Sequence, residues 1–132
     1  MNRAFMRDAD LETIARLGEK ALSEIPPELA QHCEGLVIRA AEYADDEVLD
    51  DLGIDHPLDL LGLYHGVGLP WKSVNDPGGD QDMVWLYRQP ILDYCRETGE
   101  DLEHVVQHVL IHEIGHHFGF SDDDMDHIET EA

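Results

Sequence analysis

Residues 103–118, EHVVQHVLIHEIGHHF, are apolar on nearly every side of a helical wheel, yet they carry His112, Glu113 and His116 close together near the end. Val106, Leu110 and Ile114 make one stripe, while Val105 and Val109 lie closer to the histidine face. A helix of this kind belongs in the middle of a domain, so the other elements must be laid around it. Burial also sets a condition on His112, Glu113 and His116, because polar groups taken from water need partners. Hydrogen bonds to neighbours would satisfy a lone core histidine. For three such groups at once, a shared metal ion is the better account.

The spacing supports that account. His112 and His116 are four residues apart, a helical rotation of about 400°, so both project from one face, one turn apart. Two imidazoles so placed can hold one zinc ion at about 2.0–2.1 Å each. Glu113 adjoins the first of them, where its carboxylate reaches a water beside the ion without ligating it. Hydrolytic metal sites need this division: ligands that hold the ion, an open position for water, and a base next to it.

Gly119 follows three residues after His116, where a helix can stop, since glycine takes the left-handed backbone that such an ending requires. The chain can then turn back and bring Asp122 to the ion as third ligand, leaving the fourth tetrahedral position open. His127 and Glu129 are the alternatives for that role. Glu129 would need a returning terminal helix, and Asp122 is preferred. Its neighbours among residues 121–132, Asp123, Asp124, Asp126, Glu129 and Glu131, suit a solvated tail or a short terminal helix. Of the other histidines, His108 falls near the rim of the site and His104 at the surface. His117 points about 100° away from His116 and is expected to play a structural or supporting part.

Composition narrows the classes. With 132 residues and 42% apolar content, the chain is expected to form one domain, 1–132, with a core of its own. No apolar run of about 18 residues occurs, and Asp8, Asp10 and Glu12 interrupt the start, so neither a membrane span nor a secretory leader is expected. Cys33 and Cys95 make no metal-binding pair and no disulfide framework; they suit small buried hydrophobes in a reducing, cytoplasmic setting. The net charge of −22 argues against nucleic acid and anionic membranes as partners. It suits a basic peptide or protein substrate, or simply solubility.

Along the chain, apolar positions from Leu11 to Ile25 predict a helix over 8–24, capped by Asp10 and stopped by Pro26 and Pro27. A short helix follows at 28–32, a strand at 35–41, and a helix at 45–52 between Asp45 and Gly53. Strands are expected at 60–65 and 83–87, and a helix at 89–98 ended by Gly99. The glycine- and proline-rich stretch 66–81 is a long loop, suited to a flap over a cleft. The strand ending at Arg88 is a possible sheet edge for an extended peptide. Tyr64, Tyr87 and Arg88 are candidate donors to an oxyanion.

HEIGHHFGFSD, preceded by LLGLYHG and VWLYRQPI, resembles the small zincin-like metallopeptidases of bacteria, sometimes called minimal metalloproteases. The resemblance runs from about residue 25 to residue 125. It implies an α+β fold in which a small mixed sheet packs on the active-site helix. It also implies a zinc peptidase with one ion per chain, with His112, His116 and Asp122 as ligands and Glu113 as base. The resemblance names no substrate. Larger relatives place a methionine turn well downstream of the third ligand, whereas Met125 is three residues past Asp122 and suits packing instead. Two other readings stay open, a non-catalytic zinc-binding acidic interaction domain and a hydrolase of small amides.

Overall fold

The computed structural model of the chain describes residues 9–66 and 82–119. The expected flap loop 67–81, Asp122, Met125, His127 and Glu129 lie outside the described residues. Among the described residues there are five α-helices: α1 (Leu11–Glu24), α2 (Pro27–Ala30), α3 (Asp46–Leu52), α4 (Arg88–Thr98) and α5 (Leu102–His117). Three strands, β1 (Val37–Ala41), β2 (Gly62–His65) and β3 (Met83–Tyr87), form one sheet. A 3-10 turn, Pro57–Asp59, precedes β2.

Local chemistry accounts for most boundaries. Asp10 caps α1, its side chain accepting the Thr13 backbone N–H at 2.8 Å. The helix ends before Pro26, whose ring disfavours helical backbone at Ile25; that residue is extended, with ψ 153°. Gly53 and Gly99 end α3 and α4 in the left-handed region. The second helix is shorter than expected and starts earlier, because Pro27 itself takes the first helical position.

The strand order is β1-β3-β2, with β1 parallel and β2 antiparallel to β3, so the sheet is mixed and the fold α+β. This corrects the expectation that β3 offers a sheet edge. β3 is central, Val84 pairing with Ile38 on one side and Tyr64 on the other, so it has no backbone edge for a peptide. β3 is apolar at every position because both of its faces are covered. Val84 and Leu86 join the main core with α1, α4 and α5, while Tyr87 and half-buried Trp85 join a second cluster with Ala44 and Leu49.

Among the described residues β2 is therefore an edge of the sheet, and it lies along α5. Leu61 O accepts the Tyr87 N–H at 2.9 Å, which sets the hydrogen-bonding phase of the ladder. With Leu63 paired to Trp85 and His65 to Met83 in that phase, the N–H and C=O groups of Gly62 and Tyr64 turn outward. Gly62 permits the close approach of helix and strand. A Cβ there would stand 2.6 Å from Val109 Cγ1 and 3.0 Å from the Trp85 carbonyl oxygen. Gly62→Ala is accordingly expected to destabilise the fold by about 1–3 kcal/mol. Urea denaturation reads this directly, and an unchanged midpoint would mean that β2 can move off the helix at no cost.

The expected burial of α5 holds for its first three turns. Leu102, Val106, Leu110 and Ile114 are at most 1% exposed. The last turn differs: His112 and Glu113 are half-buried, and His116 and His117 are exposed. A salt bridge from Lys20 to Glu103 ties the first turn of α5 to α1.

Cys95 is buried in the core, whereas Cys33 is only half-buried and its Sγ donates to the Leu29 carbonyl oxygen at 3.2 Å. Both thiols are free. No helix among the described residues is long and apolar enough to cross a membrane.

Candidate metal centre

The last two turns of α5 bring His108, His112 and His116 onto one side of the helix. The His112 and His116 rings are 5.6 Å apart, centroid to centroid, with their planes at 89°. That separation lets one nitrogen from each reach a common ion at about 2.0–2.1 Å. The His108 ring lies against His112, at 4.1 Å and 35°. It is exposed, as a rim residue should be, and His104 is exposed beside Glu100. Among the described residues, no three histidine, cysteine, aspartate or glutamate side chains converge as a metal-binding group. A third protein ligand would have to come from outside them. Gly119, at φ 87°, ends the helix in the left-handed region, so the chain can leave the helix axis just before Asp122.

Two neutral imidazoles and one further carboxylate form a donor set suited to zinc, and Glu113 stands beside the pair as the motif requires. Glu113 is held differently from the histidines. Its side chain lies over β2, with Cγ 3.5 Å from the position a Cβ would take on Gly62. Burial pushes its carboxyl up to about 6, against a backbone hydrogen bond from Tyr64 and the nearby charge of His116. The hydrogen bond comes from one of the two outward-facing N–H groups of β2. With a cation between the imidazoles, the carboxylate form would be favoured further.

His117 faces away from this group and supports it. Its ring stacks on Tyr64 at 3.8 Å with 13° between planes, and Phe118 packs edge-on against both rings. A Cβ on Gly66 would come within 2.8 Å of the His117 ring, so a side chain there would push that ring aside. Phe118 stacks in turn on His32 at 4.7 Å. This cluster anchors the end of α5 to the end of β2.

The candidate oxyanion donors are engaged elsewhere. The Tyr64 hydroxyl donates to Asp82 Oδ2 at 2.8 Å. Arg88 donates through Nε to the Ala9 carbonyl oxygen at 2.6 Å and through Nη1 to Glu42 at 2.9 Å, fastening the start of α1 to the sheet. Tyr87 is buried in the second cluster, on the face of the sheet opposite the main core.

Sequence reasoning missed Gly62, and it singled out Tyr64 as an oxyanion donor rather than for the backbone N–H that meets Glu113. Glycine at the start of a strand gave only a weak signal, and the Tyr64 contribution is a backbone N–H, which side-chain patterns do not show.

A sequence model of a family described as zincin-like metallopeptidase matches residues 33–132. The matched span contains β1, β2, β3, α5 and all the candidate ligands. No curated protein matches the chain.

Proposed function

The chain belongs to the zincin-like metallopeptidase family, and from that premise we propose that it is a zinc-dependent peptidase. Its ligands are His112, His116 and Asp122, with one ion per chain, and Glu113 is its general base. The observation that carries this reading is the placement of Glu113. Its carboxyl is half-buried, oriented by the Tyr64 backbone N–H, and one residue from a histidine that shares its helix face with a second.

Zinc at this position would supply a Lewis acid for the scissile carbonyl oxygen and make a water molecule more acidic. Glu113 accepts the proton released as water attacks the carbonyl carbon, and later delivers it to the leaving amine. Burial, which raises the Glu113 carboxyl, favours its uptake of a proton, and a cation between the imidazoles would oppose that rise. The outer edge of β2 provides the place for substrate. A peptide laid along it can pair with the outward Gly62 groups and the Tyr64 carbonyl, which brings its backbone past Glu113.

The net charge of −22 favours a basic peptide or protein. A reducing, cytoplasmic setting belongs to the same proposal, with Cys33 and Cys95 as free thiols.

The test is incubation of the zinc-loaded protein with a diverse peptide mixture, followed by mass spectrometry. New peptide termini should appear with zinc and disappear after chelation. A protein that holds one zinc per chain and cuts nothing would instead favour the acidic interaction domain.

A further inference from the structure

The side of the sheet opposite α5 carries a pocket of about 320 Å³. That is at the small end of cavities that hold small ligands or single side chains. Its lining combines the rings of Tyr43, Trp85, Tyr87 and His65 with the carboxylates of Asp45 and Glu47. Tyr43 is 45% exposed, so its ring is accessible from solvent. Asp45 and Glu47 are exposed, and no lysine or arginine is among the lining residues.

This chemistry selects an occupant. An anion would meet two carboxylates, and a purely apolar group would leave both charges unused. A cation is attracted by the carboxylates and by the faces of the aromatic rings together.

The pocket is joined to the candidate metal centre through β2. Side chains of a strand alternate between the two faces of a sheet. Tyr64 packs on the α5 side, and Leu63 lies in the cluster on the pocket side. A peptide added along the outer edge of β2 alternates in the same way, one set of side chains towards Glu113 and the other over Leu63 and His65.

We propose that this pocket receives a basic side chain, arginine or lysine, of the peptide lying on β2. The inference rests on the peptidase reading for its substrate, but its cation preference can be measured without turnover.

Two capped tripeptides, one with central arginine and one with central norleucine, are titrated by calorimetry into the zinc-loaded full chain carrying Glu113→Gln. The arginine peptide is expected to bind at least about five-fold more tightly. Adding Asp45→Asn and Glu47→Gln should weaken it by about five- to ten-fold and leave the norleucine peptide unchanged. Both carboxylates are exposed, and the Asp45 side chain makes no capping hydrogen bond to α3, so the variant should fold. Equal binding of the two peptides, no binding of either at millimolar concentration, or indifference to the double substitution would overturn the inference. Arginine preference in a protein whose parent cuts no peptide would retain the pocket and remove the peptidase reading. Cleavage of peptides without any arginine preference would do the reverse.

Discussion

Glu113→Gln is expected to keep its zinc and to lose peptide hydrolysis by about 10²- to 10⁴-fold. Glutamine has the same shape, and its amide oxygen can still accept the Tyr64 N–H that holds the native carboxylate. It cannot take a proton from water, so the substitution removes the chemistry and leaves the packing against Gly62. Because burial already penalises the charged form of Glu113, a neutral amide should cost the fold little. Three readouts separate the possibilities: metal content, thermal midpoint and turnover. Equal turnover in variant and parent would remove Glu113 as base. Loss of metal as well would make it part of the ligand set.

Removing a ligand should have the second large effect. Zinc that binds only the folded protein stabilises it by about 2.7 kcal/mol at a concentration one hundred times the dissociation constant. For a chain of this length that corresponds to a rise in the thermal midpoint of roughly 10 °C. His116→Ala leaves His112 without its partner across 5.6 Å, and the zinc-dependent rise should vanish. His116 is exposed, so the metal-free variant should unfold near the metal-free parent. Asp122→Ala should also abolish or weaken binding, whereas His127→Ala and Glu129→Ala should not. A variant lacking His116 that still takes up one zinc per chain would show that the pair is not the anchor of the site.

Much of this arrangement was legible in the chain. The cap at Asp10, the stop at Pro26 and the ends at Gly53 and Gly99 are local effects, decided within one or two helical turns, and each falls where its residue type requires. The extent of β3 was equally plain. Its place in the sheet was not, although apolar residues at every position from Met83 to Tyr87 were a sign that both faces are covered. Arg88, a polar residue at a strand end, suggested chemistry, and its guanidinium turned out to fasten α1. The exposure of His116 was also unexpected, because an apolar pattern shows that a helix is buried without showing where it leaves the core.

By itself, the sequence determined that His112 and His116 share a helix face with Glu113 beside them, and that Gly119 ends that helix. These follow from a repeat of 3.6 residues per turn and from the backbone freedom of one glycine, neither of which needs the rest of the molecule. Only the tertiary structure decided that β2, not β3, is the edge beside the site. It also decided that Gly62 lets α5 close on that edge, and that the Tyr64 N–H meets the Glu113 carboxylate. Strand order and the seating of a helix on a sheet join segments far apart in the chain, and they are settled by packing and pairing over the whole core, which no local pattern encodes.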